Sequence, residues 1–432
     1  MKQFVITTQG KLIASISKLS NKGHGSTWPG HIALKLNKNF IKSTLHLSKT
    51  KVIFIVGTNG KTTTANILST ILKEGKKSVA KNASGANLLN GIASALLLHT
   101  NVLGRLTTDY AIIEVDENNL PLILKEITPA AIIALDLFRD QLDRYGELDS
   151  IIRKWSRALT MLPPFTKLIL NSDDPLISYL GKDSKLDVSY FGLNEITYNE
   201  KLQHASDSIY CPRCKSKLNF SKIYFSHLGD WNCPSCKLTR PAPHMSYTTY
   251  PLVGTYNKYN TLAAVLCAKR LGISEEVIEK GLLKVTPSFG RQEKMEIGGK
   301  KIQIFLAKNP TSFNETLRTI SDLGAKNVLI ALNDRIPDGR DVSWIWDVDF
   351  EDYIERFENI SIAGDRVYDL GLRLQYSSKA STSGGQFSIE KDLKKAVGGA
   401  LNSTPTDETL YILPTYSAML DIRKILTGRK IL

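Results

Sequence analysis

Short apolar runs alternate with amphipathic segments along most of the chain, starting at residue 51. An apolar run rich in Val and Ile is typical of a strand buried on both faces, whereas apolar residues that recur every three or four positions are typical of a helix. The first series places strands at residues 52–56, 111–115, 131–135 and 167–170, with helix-like segments at 62–73, 91–98, 120–126 and 149–162. This order predicts a doubly wound parallel sheet.

A polar segment that contains four cysteines interrupts this pattern between residues 205 and 245. Helix-like sequence resumes at 259–271 and 275–283, and after a break at 287–290 a second series has strand-like runs at 302–307, 327–332, 360–363 and 410–413. We therefore predict a basic N-terminal segment (1–50), a central α/β domain (51–290) with an insertion at 205–245, and a C-terminal α/β domain (291–432).

The net charge of +14 is concentrated at the N-terminal end. Residues 1–73 contain eleven Lys and no Arg, Asp or Glu, which leaves 45 basic and 42 acidic residues in the other 359. A nucleic-acid-binding surface would spread Lys and Arg over a docking face with aromatic residues between them, so we predict no nucleic-acid partner.

The first residues hold no signal-peptide pattern, and no apolar run approaches the roughly 20 residues that cross a bilayer, so we predict a cytoplasmic protein. Leu12, Ile16 and Leu19 recur at helical spacing beside lysines. Such a helix either packs on a domain with its lysines in water or lies on an anionic membrane. The second interpretation predicts peripheral attachment at the inner face of the membrane.

A glycine loop lies between the first predicted strand and the helix that follows it. Its residues are Gly57, Thr58, Asn59, Gly60, Lys61, Thr62 and Thr63. The glycines allow a tight turn that points backbone N–H groups inward, the helix N-terminus favours anions, and Lys61 can reach the β- and γ-phosphates. The spacing departs from the common pattern, because Gly57 precedes Gly60 by three residues instead of five. We interpret the loop as an ATP-binding site.

Thr62 and Glu114 are candidate Mg²⁺ ligands. Thr62 supplies a hydroxyl at the start of the helix, and Glu114 lies near the end of a strand, at the edge of the sheet where ligands bind. An acidic residue that is merely solvated at a strand end is the alternative.

Two Cys-x-x-Cys pairs lie in the insertion, with 18 residues between them: Cys211 and Cys214, then Cys233 and Cys236. This spacing indicates a Zn²⁺ site, and four thiolates complete a tetrahedron with no open position, so we predict a structural zinc ribbon. Disulfides are the alternative, and they would require an oxidising compartment. The fifth cysteine, Cys267, lies in an apolar helix-like segment and is predicted to be core.

A Cys-His glutaminase centre is excluded from the C-terminal domain. A thiol nucleophile of this kind requires an imidazole beside it. All seven His precede residue 245, and no Cys follows Cys267. If glutamine is the nitrogen donor of a reaction, the hydrolysing Cys and His must therefore come from another chain.

Motifs along nearly the whole chain resemble those of the Mur ligase and folylpolyglutamate synthase superfamily. They lie at residues 57–63, 171–175 (Asn-Ser-Asp-Asp-Pro), 254–260 (Gly-Thr-Tyr-Asn-Lys-Tyr-Asn), 290–291 (Gly-Arg) and 308–310 (Lys-Asn-Pro). Within that superfamily, the four-cysteine insertion and the motifs at 138–147, 338–341 (Asp-Gly-Arg-Asp) and 414–420 are similar to the Mur-ligase-like subunit of lipid II isoglutaminyl synthase. The resemblance implies an α/β fold with a Mur-ligase-like central parallel-sheet ATPase domain, an inserted zinc ribbon and a C-terminal α/β domain.

The resemblance also implies a reaction and a partner. ATP would phosphorylate the α-carboxylate of D-glutamate in the lipid II stem peptide, and ammonia would convert the acyl phosphate to D-isoglutamine, a step of cell-wall peptidoglycan synthesis. A separate, GatD-like glutaminase subunit would supply the ammonia within a heterodimer. ATP, Mg²⁺ and structural Zn²⁺ are the implied cofactors.

Family roles transfer to the matching positions of this sequence. Lys61 would bind the ATP phosphates, and Thr62 with Glu114 would bind Mg²⁺. Asn260 would lie near the adenine, and Arg291 would reach the nucleotide from the domain junction. Asp341 would complete the Cys-His dyad of the glutaminase, for which a loop acid paired with its neighbour is the structural alternative.

Three positions depart from the pattern of amino-acid-adding Mur ligases. Residues 140–141 are Asp-Gln where those ligases carry Asp-His, and no acid lies in residues 305–307 before the Lys-Asn-Pro motif. Lys154 is one residue out of register for a modified, metal-bridging lysine. The N-terminal segment is also too short for a domain that holds a nucleotide-linked precursor, which favours a lipid-linked substrate.

Three other functions remain open at this point. A self-contained Mur-type or polyglutamate ATP-dependent ligase would add an amino acid without a partner. A zinc-ribbon ATPase would bind oligonucleotides with a steep salt dependence. A nucleotide-sensing scaffold would bind ATP without turnover.

Overall fold

The computed structural model of the chain describes residues 6–11, 27–82, 87–139, 148–195, 201–377 and 387–428. Within these residues, helices cover two six-stranded sheets, and a two-stranded hairpin forms a third, separate sheet. The predicted α/β class is confirmed. The predicted helix around residues 12–19 and the Asp-Gln pair at 140–141 lie outside the described residues.

The first sheet is parallel throughout and has the strand order β2-β3-β1-β4-β5-β6. Its strands are β1 (Lys51–Val56), β2 (Val79–Lys81), β3 (Tyr110–Val115), β4 (Ala131–Ala134), β5 (Lys167–Asn171) and β6 (Asp187–Phe191). The four apolar runs predicted as strands form its centre. The edge strands β2 and β6 were not predicted, because β2 has only three residues and β6 is half-buried.

Besides a helical stretch at residues 6–11, nine helices of the described residues accompany this sheet. They are α1 (Trp28–Leu36), α2 (Phe40–His46), α3 (Lys61–Glu74), α4 (Leu89–Leu98), α5 (Leu120–Ile123), α6 (Leu148–Leu159), α7 (Pro175–Tyr179), α8 (Thr255–Arg270) and α9 (Glu275–Leu283). The helix expected at 120–126 therefore ends three residues early, and α1 and α2 were not predicted.

The alternation of side chains along β1 divides the core between the two faces of the sheet. Val52, Phe54 and Val56 pack with residues of α1, α2, α4 and α6, whereas Ile53 and Ile55 pack with residues of α3, α8 and α9. A parallel strand is apolar at every position because both of its faces are covered. Helix α1 packs closely on α4, since a Cβ at Gly30 would lie 2.0 Å from the carbonyl oxygen of Asn90.

The second sheet has the order β13-β12-β11-β14-β10-β9, and only β9 is antiparallel to its neighbour. Its strands are β9 (Arg291–Ile297), β10 (Lys300–Phe305), β11 (Asn327–Ala331), β12 (Asn359–Ala363), β13 (Phe387–Glu390) and β14 (Thr409–Pro414). Its helices are α10 (Pro310–Asp322), α11 (Val367–Ser377), α12 (Leu393–Ser403) and α13 (Tyr416–Thr427). The hairpin β9–β10 was not predicted in full, because β9 alternates charged and apolar residues.

The cysteine-bearing insertion forms the hairpin β7 (Asn219–Phe225) and β8 (Leu228–Asn232). Asp173, which is fully buried after β5, anchors the insertion to the first sheet. Its carboxylate accepts hydrogen bonds from Arg240 at 2.6 Å and from the Tyr259 hydroxyl of α8 at 2.6 Å. Arg240 lies just beyond the second cysteine pair, so one buried ion pair connects the insertion to the centre of the fold.

The two sheets meet through contacts that involve the predicted junction at residues 290–291. Gln292 in β9 donates hydrogen bonds to the carbonyl oxygen of Val253 at 2.8 Å and to the hydroxyl of Tyr256 at 2.7 Å. The domain boundaries themselves stay a prediction. None of the helices in the described residues is both long and apolar enough to cross a membrane.

Candidate active site

The glycine loop connects β1 to α3 at the carboxyl edge of the first sheet. The crossover from β1 runs to β2 on one side, and the crossover from β3 passes β1 and runs to β4 on the other, so a switch point between β1 and β4 opens a crevice for ligands. Gly57 and Gly60 have φ values of 143° and 81°, which side-chain-bearing residues rarely adopt. A Cβ at Gly60 would also lie 2.1 Å from Oδ1 of Asn260.

Residues that follow β4 hold the glycine loop in place through hydrogen bonds. The N–H groups of Thr58 and Asn59 donate to the backbone and side-chain oxygens of Asp136 at 3.1 and 2.8 Å. The Thr58 hydroxyl accepts a hydrogen bond from the N–H of Phe138 at 3.0 Å. The N–H groups of the first turn of α3 have no acceptor within the helix, and that turn presents a partial positive charge. The loop and helix start therefore suit an anion such as a phosphate.

Lys61 is the first residue of α3 and lies inside the loop. Its ammonium group donates to the carbonyl oxygens of Gly57 and Thr58, the latter at 3.3 Å, and lies 3.4 Å from Oε1 of Glu117. The Lys61 side chain is 12% exposed. The cation is thus largely shielded from water beside the position where the loop would hold phosphate oxygens.

Thr62 and Glu114 meet across the start of α3. The Thr62 hydroxyl donates to Oε2 of Glu114 at 2.6 Å. The Asn82 side chain holds the backbone of Glu114 in place, accepting from its N–H at 2.9 Å and donating to its carbonyl oxygen at 3.0 Å. A hydroxyl and a carboxylate supply the oxygen atoms that Mg²⁺ prefers. The arrangement of Thr62 and Glu114 therefore fits their predicted role as Mg²⁺ ligands.

Glu114 is buried, and its surroundings compensate for that burial. Burial raises the pKa of this carboxyl, while the hydrogen bond from Thr62 and the charges of Arg291, Lys61 and Lys81 oppose the rise. Burial likewise lowers the pKa of Arg291, and Glu114 opposes that change. Arg291 is the first residue of β9, so the second sheet contributes a cation to a site built on the first.

Asn260 and Thr63 lie beside the loop on the α8 side. The amide oxygen of Asn260 accepts from the Thr64 hydroxyl at 3.2 Å, and its amide nitrogen donates to Asn257 at 3.0 Å. Both Asn260 and Thr63 are buried. These contacts position Asn260 against the phosphate loop, and its predicted place near the adenine stays a prediction.

Sequence reasoning missed three polar residues of this site: Glu117, Asp136 and Asn309. Glu117 and Asp136 each follow a strand of the parallel sheet, so the rule that strand ends meet at one edge would have found them. Asn309 belongs to the Lys-Asn-Pro motif at 308–310, but the motif alone assigns it no contact with the loop. It caps α10 by accepting from the Ser312 N–H at 2.9 Å, and its amide group donates to Oδ1 of Asn59 at 3.2 Å.

The register of α6 answers the question about a modified lysine. Lys154 is exposed to solvent, whereas its neighbour Trp155 is buried and faces the site. The indole N–H of Trp155 donates to the carbonyl oxygen of Glu117 at 2.8 Å. Lys154 therefore points away from the groups that a metal-bridging lysine would have to reach.

Asp341 lies outside this cluster, on the surface of the C-terminal domain. Its Oδ1 accepts from the N–H of Ser343 at 2.8 Å, and that hydrogen bond lowers the pKa of the carboxyl. Asp338 of the same motif is instead buried and accepts from the backbone N–H of Ser417 at 2.9 Å. The motif thus combines an anchoring aspartate with an exposed, ionised one.

The four predicted zinc ligands lie together in the insertion. Their sulfur atoms are within 4.8 Å of one another, with 3.6 Å between Cys211 and Cys236 and 3.4 Å between Cys214 and Cys233. A tetrahedral Zn²⁺ with Zn–S bonds of about 2.3 Å spaces its sulfurs by about 3.8 Å, so the cluster fits the ion. The thiols are not joined as disulfides.

Comparison with known proteins adds to this geometry. Residues 55–268 match the family model of the Mur ligase middle domain, and residues 306–419 match that of the MurT ligase C-terminal region. The chain is 32% identical to the lipid II isoglutaminyl synthase (glutamine-hydrolyzing) subunit MurT of Staphylococcus aureus strain COL, over 93% of each chain. It is also 32% identical to that subunit from Streptococcus pneumoniae strain R6, over 98% of each chain.

A solved structure agrees with the fold. The MurF ligase of Thermotoga maritima in complex with ADP has a TM-score of 0.62 and 14% sequence identity, covering 92% of this chain and 83% of that one. At this identity the likeness supports the fold alone. The two-sheet arrangement around the phosphate loop is therefore that of a Mur ligase.

Asp136 predicts a pH dependence of stability. Burial raises the pKa of this carboxyl to about 7, against the hydrogen bond from Asn59. The folded protein then binds more protons than the unfolded chain, so this contribution to stability is lost as the pH rises from about 4 to about 7. We expect the difference in free energy of unfolding between the wild type and Asp136→Asn to fall over that range in denaturant titrations.

Asp109 provides a control of opposite sign. Hydrogen bonds from the side chain and backbone of Ser78 lower the pKa of this exposed carboxyl. Its contribution to stability is lost only as the pH falls below about 4, so Asp109→Asn should not alter the slope between about pH 4 and 7. Identical pH profiles for the wild type and Asp136→Asn would contradict the assignment to Asp136.

The cysteine cluster predicts a metal-dependent insertion. Cys214→Ser removes one of four ligands, so we expect loss of the zinc bound per chain, measured by elemental analysis, and a lower melting temperature. Cys267→Ala is the matched control, because Cys267 is buried in α8 and lies outside the cluster. Zinc retained by Cys214→Ser, or absent from the wild type, would count against a zinc ribbon.

Proposed function

The chain belongs to the MurT family of Mur ligases, and we propose that it is the ATP-consuming subunit of a lipid II isoglutaminyl synthase. In this reaction, the α-carboxylate of D-glutamate in the lipid II stem peptide becomes an amide. A second subunit, a glutaminase, supplies the nitrogen. The proposal agrees with the names of relatives that are 32% identical over 93–98% of the chain.

The proposed reaction has two steps. A carboxylate oxygen of the substrate attacks the γ-phosphorus of ATP, which forms an acyl phosphate and releases ADP. Ammonia then attacks the acyl carbon, the bond to the phosphate oxygen breaks, and inorganic phosphate leaves with that oxygen. The ammonia nitrogen loses a proton and becomes the amide. Phosphorylation is required because a carboxylate is a poor electrophile until one of its oxygens becomes a good leaving group.

The observation that carries this proposal is the ring of charged groups around the phosphate loop. Lys61 lies inside the loop, and Arg291 approaches from the other sheet, near the Thr62–Glu114 pair. Phosphoryl transfer is catalysed mainly by positioning and by charges that stabilise the transferring group. Cations delivered from two domains suit an ATP that lies between them, with the acceptor carboxylate at its γ-phosphate.

The proposal includes two metal ions, Mg²⁺ and Zn²⁺, which would bind at separate sites. Thr62 and Glu114 would hold Mg²⁺, which lowers the cost of negative charge on the phosphates when it is bound. The four cysteines would hold Zn²⁺ with no open coordination position, so the zinc would be structural. The ion pair of Asp173 with Arg240 would then transmit the rigidity of the ribbon to β5.

Asp341 is proposed to act with the partner subunit. An exposed, ionised carboxylate can accept a hydrogen bond from an imidazole and fix its orientation, which is the role of the acid in a Cys-His-acid triad. The hydrogen bond from the Ser343 N–H fixes the Asp341 side chain at the start of a short helical segment, Ser343–Asp347. No His follows residue 244, so with glutamine as the nitrogen donor the proposed dyad would come from another chain.

The surface next to Asp341 suits a protein partner. Tyr368, Leu372 and Tyr376 lie one helical turn apart along α11 and are 69%, 49% and 72% exposed. Trp346, from the segment that follows Asp341, contacts the Tyr376 ring with 5.8 Å between ring centroids. Exposed aromatic residues in a contiguous stripe are typical of binding interfaces. We propose that this aromatic stripe docks the glutaminase.

The substrate of the proposed reaction is lipid-linked, and ATP is a cytoplasmic nucleotide. The protein would therefore work at the cytoplasmic face of the membrane, as a peripheral protein.

Reconstitution tests the proposed function. The chain is co-expressed with a candidate glutaminase, and the purified complex receives lipid II, ATP and glutamine. We expect amidated lipid II and ADP in equal amounts, detected by mass spectrometry and a nucleotide assay. Lys61→Ala should abolish both products, because the phosphates lose their cation. Amino-acid addition without the partner would instead indicate a self-contained ligase.

Asp341→Asn separates the two nitrogen sources. We expect glutamine-driven amidation to fall by at least about 100-fold, as for loss of an orienting acid, while ammonia-driven amidation and complex formation persist. Asp352→Asn, at an exposed acid of the same region, is the control and should retain both activities. Undiminished glutamine use by Asp341→Asn would remove this residue from the proposed role.

The aromatic stripe predicts a binding defect. Tyr368→Ser combined with Tyr376→Ser should weaken the complex by at least about tenfold, since buried tyrosines dominate many interfaces. Calorimetric titration with the glutaminase measures the change. Tyr210→Ser is the control, because Tyr210 is 54% exposed on the zinc ribbon, away from the stripe. Equal affinities for all three proteins would place the interface elsewhere.

A further inference from the structure

The edge of the first sheet opposite the phosphate loop forms a second distinctive surface. In a parallel sheet the segments that precede the strands meet at the amino edge, and here β3, β1, β4 and β5 are adjacent in that order. The segments 47–51, 101–109, 128–130 and 161–167 therefore lie side by side. We call them, together with Arg270 and Leu271 at the end of α8, the amino-edge surface.

Large apolar side chains project into solvent from two loops of this surface. They are Val102 and Leu103 before β3, 62% and 59% exposed, and Met161 and Phe165 before β5, 78% and 72% exposed. The two loops are separated by β1 and β4, about 14 Å across the sheet, so the four residues form two apolar pairs along one edge. Isolated exposed apolar residues are ordinary, but two such pairs on one edge are not.

Local hydrogen bonds fix both loops so that these side chains point outward. The amide oxygen of Asn101 accepts from the N–H groups of Leu103 and Arg105 at 3.0 and 3.1 Å and closes the first turn. In the second loop, Leu162 is buried, and the Thr166 N–H donates to the carbonyl oxygen of Pro163 at 3.0 Å. The exposed tips are therefore built into the fold.

The first loop is joined to the segment before β1. The N–H of Leu106 donates to the hydroxyl of Ser48 at 2.8 Å, and the hydroxyl of Thr50 donates to the carbonyl oxygen of Thr108 at 2.6 Å. These bonds bring exposed Leu47 and Lys49 next to the apolar turn. The apolar tips and the neighbouring lysines thus share one surface.

Positive charge surrounds the apolar tips. Lys49, Lys51 and Arg105 are exposed, and none of them forms an ion pair within the described residues. Lys167 and Arg270 both contact Asp187, which neutralises one of the two charges. Asp109 accepts hydrogen bonds from Ser78 and keeps its negative charge, so five basic residues face two carboxylates, Asp109 and Asp187. The amino-edge surface therefore has a net positive charge.

A cavity of about 430 Å³ opens between Phe165 and the cations next to it. Its lining combines apolar groups with basic ones, including Lys51, Pro129, Phe165, Lys167, Arg270 and Leu271. An apolar wall next to ammonium and guanidinium groups suits an amphiphile with an anionic head.

We propose that the amino-edge surface docks the protein on an anionic phospholipid bilayer. Met161, Phe165, Val102 and Leu103 enter the headgroup region, and the basic residues lie against lipid phosphates, with one headgroup in the cavity. Apolar contact combined with attraction of basic residues to anionic lipid is the usual basis of peripheral binding. Charge complementarity selects the bilayer over a neutral protein partner.

Membrane docking is inferred from the surface itself. Only its purpose rests on the proposed function, because an enzyme with a lipid-linked substrate must work near the membrane. Strand β1 has six residues, which separates the docked edge from the phosphate loop by about 20 Å. The sugar and peptide portion of the substrate would span that distance.

Vesicle sedimentation tests the proposal without any activity measurement. The full-length chain is mixed with vesicles of phosphatidylcholine alone or of phosphatidylcholine and phosphatidylglycerol in equal parts. We expect binding to the anionic vesicles only, weakened by added salt. Lys49→Gln with Lys51→Gln should weaken it by about 25-fold, since one lysine near such a surface contributes about fivefold. Met161→Ser with Phe165→Ser should weaken it by at least about tenfold.

Matched variants control for total charge and total apolar exposure. Lys294→Gln with Lys301→Gln removes two exposed lysines of the C-terminal domain, and Leu283→Ser removes a leucine that is 81% exposed at the end of α9. Both should bind vesicles like the wild type.

Three results would overturn the proposal. The first is no binding of the wild type to anionic vesicles. The second is equal binding by the amino-edge and control variants, which would assign attachment to the lysines of residues 1–26. The third is a dimer in light scattering that Met161→Ser with Phe165→Ser converts to monomers, which would make the surface a contact between two copies. If the wild-type chain binds anionic vesicles but its complex with the glutaminase produces no amidated lipid II, the proposed function is contradicted and the docking surface is not.

Discussion

The withdrawal of Glu114 from water is the constraint on which the rest of the candidate site depends. A buried carboxylate is tolerated only where hydrogen bonds and opposite charges replace its hydration. Thr62 supplies the hydrogen bond from the start of α3, and Lys61, Lys81 and Arg291 supply the charge. These residues come from separate elements, so the carboxylate also determines how the elements meet. A cation bound at this position would replace part of that compensation.

Both domains stabilise the buried carboxylate of Glu114, because one of the nearby positive charges belongs to Arg291. It begins β9 in the second sheet, yet Glu114 lies in the first. Asn309 forms a second connection by donating from the cap of α10 to Asn59 in the phosphate loop. A rigid-body movement between the sheets would therefore remove a cation and a hydrogen bond from the same loop. The geometry of the site and the relative position of the domains are linked by these two contacts.

The central strands, the phosphate loop and the cysteine cluster could be predicted because their signals are local. An apolar run, a glycine spacing or a pair of Cys-x-x-Cys motifs lies within a short stretch of sequence. The edge strand β2, helices α1 and α2, and the contact of Asn309 with Asn59 could not be predicted, because they depend on which distant segments pack together. Lys154 shows how much a single position on a helix matters. Its neighbour Trp155 on α6 faces Glu117, whereas Lys154 is exposed to water.

The cysteine-bearing insertion, the proposed zinc ribbon, lies far from the phosphate loop in sequence, but the contacts between them form a short path. Its hairpin accepts a hydrogen bond at the Tyr224 carbonyl oxygen from Arg318 of α10, at 3.1 Å. The same helix begins at the Asn309 cap that contacts Asn59. On the other side, Asp173 joins Arg240 of the ribbon to Tyr259 of α8, next to Asn260. An unfolded ribbon would loosen α10 and α8 together, the two helices that border the loop. An ion held by the four cysteines would thus have a physical route to the phosphate loop without touching it.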